Sequence, residues 1–377
     1  MSKTRTGTIT FHASHNYGSM LQAYALQWVL TNELNVDNEI INFRSQAQKD
    51  FYQSPAKKKM RWKDYVLKFT VGEHKKELTE KYNLFEKFIK EYLVISKELS
   101  NEEEVAEYAK QFDFLISGSD QIWNTHCIDF SWAYFLPFAS KNAIAYAPSM
   151  GPNGMKRINE SEYPQIQKCL QNYKAISVRE EGTNDVVKAA SSKDAEILID
   201  PTLMVDRDQW DKLSGTTPII EGDYIFMYHP YINYQLCDIS KKISSHFGLP
   251  VIISNRIHIV AEIFNKFTKK MQYKLESGPI EFLNLIKNAK YVISGSFHAV
   301  VFSIIFNKPF IAYGGKTDKR MIEILKSTEL TQYGVNSEDY MHAVEKLDEI
   351  DFSKVPEYLA RERKKSLQFL QKALKKE

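Results

Sequence analysis

The sequence predicts an α/β protein of two doubly wound, Rossmann-like domains that face a cleft, with a C-terminal helix packing back on the first domain. Three observations predict it. The chain has 377 residues, beyond the roughly 250–300 at which one hydrophobic core stops growing. Short apolar runs alternate with helix-period patterns, as in a parallel sheet covered on both faces. The run IDPTLMVDRDQWDKLSGTTPIIEGD, residues 199–223, interrupts that alternation with Pro, Gly and Asp, which punctuate regular structure.

In the first half, residues 6–11, 39–43, 112–117, 143–146, 175–178 and 196–199 read as strands. A helical pattern covers 19–31, with Leu21, Ala25, Trp28 and Val29 on one face, and others cover 164–172 and 180–190. The lysine-rich stretch 48–99 reads as a helical insertion in this domain. In the second half strands are expected at 224–228, 250–254, 291–294 and 309–313, and helices at 234–247, 280–288, 298–306 and 320–326. The domains are accordingly 1–213 and 214–355, followed by an amphipathic helix at 356–377. That helix is expected to pack through Leu367, Phe369, Leu370 and Leu374. Its basic face, with KKKMRWKDYVLKF at 57–69, offers the alternative of peripheral contact with an anionic membrane surface.

Hydrophobic residues make up 43% and charged residues 26% of the chain, ordinary for a soluble globular protein. A net charge of +3 excludes the concentrated basic surface of a dedicated nucleic-acid binder. Cys127, Cys169 and Cys237 stand far apart. They form no CxxC pair and no metal-ligand spacing, so neither a disulfide framework nor a metal site is expected, and a reducing compartment fits. The opening MSKTRTGTITFHASHNYGS lacks the apolar core of a signal peptide. No run of 18 apolar residues occurs to span a bilayer. A cytoplasmic protein is expected, peripheral at the inner face of the membrane if its substrate is lipid-linked.

Doubly wound sheets bind ligands beyond the carboxyl ends of their strands, so the loops after strands carry the functional reading. In the first loop (HASHNYGS, 12–19), His12, His15 and Asn16 are polar handles, Gly18 permits close backbone approach, and Ser19 suits a helix cap. The free N–H groups of the following turn suit an anion or hydroxyls. In the second (GSDQIWN, 118–124), Ser119, Gln121 and Asn124 suit hydroxyl groups, Trp123 offers a face to a sugar ring, and Asp120 is a candidate general base. The plainer reading is a capped turn. Arg179, directly after a strand, offers a fork to a carboxylate or phosphate, unless the adjacent Glu180 takes it. In ISGSFHA, 293–299, Gly295 allows a sharp turn, Ser296 suits a cap, and His298 falls in the first turn of an apolar helix as a candidate acid. In GGKTDKR, 314–320, Lys316 and Arg320 suit an anionic ligand, although lysines more often mark a solvated face.

Together these loops resemble the polysaccharide pyruvyl transferase family. NYGSMLQAYAL, ISGSDQIWN, ISVREEGT, IDPTL and GPIEFLNLIKNAKYVISGSFHAVVFSIIFNKPFIA occur in the family's order, from about residue 7 to 327. The resemblance implies a fold like the GT-B glycosyltransferases. It implies transfer of pyruvate from phosphoenolpyruvate onto two hydroxyls of one sugar, giving a cyclic ketal, on bacterial capsule, exopolysaccharide or cell-wall precursors, free or lipid-linked. It implies an acceptor-binding first domain, a donor-binding second domain, and no cofactor beyond the co-substrate.

In that picture Arg179, with Lys316 or Arg320, holds the donor. His298 protonates its methylene carbon, and Asp120 or a first-loop histidine takes the proton of the attacking hydroxyl. Some relatives carry an arginine two positions before the motif histidine, where this chain has Ser296. Lys316, Arg320 or Arg256 is then expected to supply the cation. Two other readings stand beside this one. A GT-B glycosyltransferase using a nucleotide sugar would need an acidic residue for the ribose, and Glu281 is a poor candidate unless it faces the cleft. A non-catalytic sugar-binding protein would use the same fold.

Overall fold

A computed structural model describes residues 3–57, 74–151, 158–191, 193–231, 233–255 and 271–376. The chain divides into two compact units, residues 1–52 with 89–205 and 359–377, and residues 53–88 with 206–358.

The first unit is built on β1 (Arg5–Ile9), β2 (Asp37–Ile40), β3 (Phe114–Asp120), β4 (Ala143–Pro148), β5 (Tyr173–Val178) and β6 (Glu196–Ile197). They form a six-stranded sheet in the order β2-β1-β3-β4-β5-β6, with every pairing parallel. β3 and β4 are buried along their whole length, as expected of central strands covered on both faces. The order reverses between β1 and β3, so the loops after those two strands flank the crevice where such sheets take ligands.

The second unit repeats the plan with β7 (Ile225–Tyr228), β8 (Val251–Ile253), β9 (Met271–Tyr273), β10 (Tyr291–Ser294), β11 (Phe310–Tyr313) and β12 (Gly334–Val335). The sheet order is β12-β11-β10-β7-β8-β9, again parallel throughout. Here the order reverses between β7 and β10, which pair Tyr228 with Ser294 at their carboxyl ends. The sequence gives no sign of β9 and β12. Their three and two residues, MQY and GV, are too few to show a periodicity.

Two boundaries differ from expectation. The division falls at 205/206 rather than 213/214. The reason is the helix Arg207–Leu213, whose Trp210 packs edge-on against Phe302 of the second unit at 4.9 Å between ring centres. The expected insertion in the first domain is itself divided, since residues 53–88 cluster with the second unit. There Lys81 donates to the Ser254 carbonyl at 3.1 Å and to Asn255 Oδ1 at 2.6 Å.

The last helix, Val355–Ala373, packs back on the first unit as the sequence predicts. Leu370 is fully buried. Arg363 donates to the carbonyls of Leu203 and Val205 at 2.6 and 2.8 Å. No helix among the described residues is long and apolar enough to cross a membrane. Residues 58–69 of the basic stretch, and Arg256, lie outside the described residues.

Candidate functional site

At the switch point of the first unit, the chain leaves β1 through residues 12–16 and enters the helix Tyr17–Trp28. Asn16 caps that helix by accepting from the N–H groups of Gly18 and Ser19 at 3.0 and 3.5 Å. The cap expected of Ser19 is thus Asn16's, and the Ser19 hydroxyl is left to donate to Asp120 Oδ2 at 2.5 Å. Asp120 ends β3 with φ +71°, a left-handed conformation that a non-glycine residue adopts at a cost. Two residues earlier, Gly118 is required: a Cβ there would lie 2.0 Å from the Tyr146 carbonyl oxygen.

The other Asp120 oxygen faces Arg179 at 3.7 Å. Arg179 bonds Asp200 Oδ2 at 2.7 Å and donates to Ser119 Oγ at 2.7 Å. Asp200 is oriented in turn by the amide and hydroxyl of Thr202 at 2.9 and 2.7 Å. The guanidinium therefore neutralises two carboxylates inside the first unit. The Arg179 side chain is 2% exposed, with Nη2 shared between Asp200 and Ser119 and Nη1 turned to Asp120. Deleting one member of such a pair leaves a buried charge and costs about 3–5 kcal/mol. Glu180 accepts from the Ser149 hydroxyl at 2.9 Å, from the Met150 amide at 3.3 Å and from Thr183.

Several expected acceptor residues are structural. His12 is buried, with its ring nitrogens 3.2 Å from the Thr10 carbonyl and 3.0 Å from Asn42 Oδ1. Trp123 is fully buried, stacks on Phe135 at 4.9 Å and donates to Ser117 Oγ, so it has no face for a sugar. Ser119 is buried and donates to the Ala147 carbonyl. Gln121 and Asn124 bond each other at 3.1 Å and pack where a Cβ on Gly151 would lie.

What the crevice does gather is a hydroxyl and carboxyl cluster that the sequence reading missed in part. The Ser14 hydroxyl donates to Asp129 Oδ2 at 2.7 Å and accepts from the Gln48 amide at 3.0 Å. Tyr52 donates to the same Asp129 oxygen at 3.1 Å, and the His15 ring lies 5.6 Å from the Tyr52 ring. Burial pushes the Asp129 carboxyl above its usual range; the bonds from Ser14 and Tyr52 oppose this, and the Asp120 charge adds to it.

In the second unit, Gly295 and Ser296 link β10 to the helix Phe297–Ile305. Ser296 occupies the cap position without a side-chain cap bond; its amide donates to Ser294 Oγ at 3.0 Å. His298 sits in the first turn and is 8% exposed. Across the switch point His229 follows β7, and its ring lies so close that a Cβ on Gly295 would meet Cδ2 at 2.4 Å. Burial lowers the proton affinity of His229, and the Tyr231 carbonyl partly restores it. Asn255 donates to the His229 carbonyl at 3.0 Å and accepts from Lys81, whose ammonium burial lowers to about 7.

The two expected cations separate here. Lys316 is half-exposed and paired with Asp339, a surface pair of small worth. The Arg320 side chain is 9% exposed, is held by Asp318 at 2.7 and 3.0 Å, and lies over the Phe297 ring at 5.4 Å. Arg320 is thus the cation carried to the start of the His298 helix. His229 directly follows β7 and Asp200 stands in the IDPTL segment after β6, whereas Asp129 lies well beyond the end of β3, where neither a strand end nor a motif draws the eye.

A sequence model of the polysaccharide pyruvyl transferase family matches residues 16–317. The chain belongs to that family. It is therefore an enzyme of the pyruvyl transferase class that serves polysaccharide biosynthesis, with a sugar or polysaccharide as acceptor. No curated protein matches the sequence of this pyruvyl transferase family member. Solved structures match its fold. The UDP-GlcNAc 2-epimerase from Neisseria meningitidis superposes with a TM-score of 0.55 at 11% identity, covering 99% of each chain. The enzyme of that name from Methanocaldococcus jannaschii gives 0.54 at 14% identity, covering 98% of this chain and 100% of its own. AviGT4, a glycosyltransferase of avilamycin A biosynthesis, gives 0.50 at 11% identity, covering 98% and 97%. This pyruvyl transferase thus has the GT-B-like fold of two Rossmann-like domains.

Proposed function

We propose that the enzyme transfers pyruvate from phosphoenolpyruvate to two hydroxyls of one sugar, giving a cyclic ketal and inorganic phosphate. The observation that carries the reading is the turn at 295–298 on the switch point of the second unit. There a helix begins with its cap hydroxyl unused, Arg320 lies over the first helical residue, and His298 follows in the first turn. Amide N–H groups at a helix start and a fixed guanidinium suit a doubly anionic donor. In this reading Arg320 replaces the arginine that some relatives carry at the position of Ser296.

His298 donates a proton to the methylene carbon of the donor as a sugar oxygen bonds to its C2. The C2–phosphate bond then breaks, phosphate leaves with a proton, and the second sugar oxygen closes the ring. Arg320 and the helix N–H groups stabilise the charge as it moves, which is commonly the largest catalytic contribution. Within the first unit, the Ser14, Ser19 and Tyr52 hydroxyls make a crevice that suits a sugar. Arg179 organises that pocket by fixing Asp120. We place the acceptor among cell-surface polysaccharide precursors such as those of capsule or exopolysaccharide, used in the cytoplasm.

The fold neighbours named for UDP-GlcNAc raise a nucleotide-sugar reading. Glu281, the poor candidate for the ribose carboxylate, is engaged in its own helix: it accepts from the Gly278 amide at 2.9 Å and closes the start of the helix Pro279–Asn288. The test of the pyruvyl reading is turnover of ¹³C-labelled phosphoenolpyruvate, followed by the ketal methyl signal. His298→Ala should lower the rate by about 10²–10⁴-fold. Turnover within a few-fold of wild type would remove His298 from the acid's role.

A further inference from the structure

At the amino ends of β3, β4 and β5, on the edge of the first sheet opposite its crevice, lies an open pocket of about 610 Å³. That volume is within the range of small-molecule sites. The three strands are neighbours in the sheet, so the residues at their starts converge. Asp113 stands just before β3, Lys141 shortly before β4, and Lys174 within the first turn of chain in β5. Gln171 ends the helix Tyr163–Leu170, Lys193 precedes β6, and Lys376 follows the last helix.

Four lysines thus line a pocket with one carboxylate, and that carboxylate is already matched. Asp113 bonds Lys376 at 2.9 Å and accepts from the Arg5 amide at 2.9 Å; these two bonds hold it below its usual range. Lys174 is fixed by neutral groups. Its ammonium donates to the Lys375 carbonyl and lies 5.0 Å from the centre of the Phe114 ring. The side chains of Lys141, Gln171 and Lys193 have neither a hydrogen bond nor an ion pair among the described residues. Asp194, next to Lys193 in the chain, pairs with Lys188 at 3.1 Å instead. Lys141 also has φ +62°, a conformation that glycine takes freely and lysine takes at a cost. Strain of this kind collects where a side chain is put to use.

Like charges gathered on a concave surface raise the local potential and draw in an anion. Lysines act as point charges, without the planar fork that matches a carboxylate, and suit the several oxygens of a phosphate group. We propose that this pocket binds a phosphate-bearing ligand, with Lys141, Lys174 and Lys193 as its cations and Gln171 as a neutral donor. The site lies wholly within the first unit and is independent of the pyruvyl-transfer reading. The same chemistry is offered by a free diphosphate and by a phospholipid headgroup, and Lys141, Gln171 and Lys193 are exposed to either.

The test titrates the full chain with inorganic pyrophosphate by calorimetry. In parallel it measures sedimentation with vesicles of phosphatidylcholine, alone or mixed with phosphatidic acid. Lys141→Ala, Lys193→Ala and their double variant are compared with Lys326→Ala, which removes the same charge from an exposed site on the second unit. Each single change in the pocket should weaken binding by about threefold to tenfold, and the double variant by more, with the difference shrinking as salt is raised. Lys326→Ala should bind as wild type does. Binding lost in the pocket variants reads this site, whatever binds to the second unit. Pyrophosphate binding that needs the lysines assigns a free phosphate ligand. Vesicle binding that needs both phosphatidic acid and the lysines, without pyrophosphate binding, assigns a headgroup; either result upholds the proposal. Equal binding by wild type and the double variant, an equal loss in Lys326→Ala, or no binding to either probe would overturn it. Urea midpoints matching wild type check that the variants fold.

Discussion

Identical residue types do opposite work in this chain, and their neighbours decide which. His12 and His298 both follow a strand. The first is tied between Thr10 and Asn42, and the second opens a helix beside Arg320 and Phe297. The sequence marks both positions but not the bonding. Trp123 shows the same limit: a polar loop surrounds it in sequence, and Phe135 and Tyr173 surround it in space. Lys81 gives a residue-scale prediction with a definite sign. Burial lowers its folded value to about 7, while an unfolded lysine keeps its proton to about 10.4. Between those values the unfolded chain binds more protons, so stability contributed through this group rises with pH. Urea midpoints of wild type and Lys81→Met should therefore diverge in favour of wild type from pH 7 to pH 9.5. Parallel midpoints would show that Lys81 titrates as an ordinary lysine.

At the scale of elements, the sequence was most legible where a buried face sets the period. β10 and the helix Tyr234–Phe247 fall where their apolar patterns place them, because a strand or helix against a core must satisfy its own period. Legibility fails where an element is too short to repeat, as in β9 and β12, and where a helix belongs to a neighbour distant in sequence. The helix Lys75–Tyr92, through Lys81, and the helix Arg207–Leu213 are of that kind: their partners Asn255 and Phe302 are set by the fold alone. The last helix was legible from its apolar face, but its polar anchor was not. Arg363 donates to two main-chain carbonyls that the segment 203–205 leaves open. Arg363→Ala should cost about 1.5–3 kcal/mol in urea unfolding. An unchanged midpoint would mean that the apolar face alone holds the helix.

For the whole molecule, the useful regularity is that each unit repeats one plan. Each has a six-stranded parallel sheet whose order reverses once, and each reversal is flanked by the polar residues that matter. The first collects Ser14, Ser19, Tyr52, Asp120 and Asp129; the second collects His229, Ser296, His298 and, through Phe297, Arg320. The loops were legible from the rule that such sheets bind at their carboxyl ends. Which side chains in those loops stay available was not, because it depends on pairings such as Arg179 with Asp200 that join residues far apart in sequence. The central claim is that the second unit takes phosphoenolpyruvate. Calorimetric titration of the wild type with phosphoenolpyruvate, beside UDP, tests it most directly. Saturable phosphoenolpyruvate binding, weakened in Arg320→Ala and absent for UDP, is the predicted result. Tight binding of UDP without phosphoenolpyruvate would contradict the account and point to a nucleotide-sugar donor.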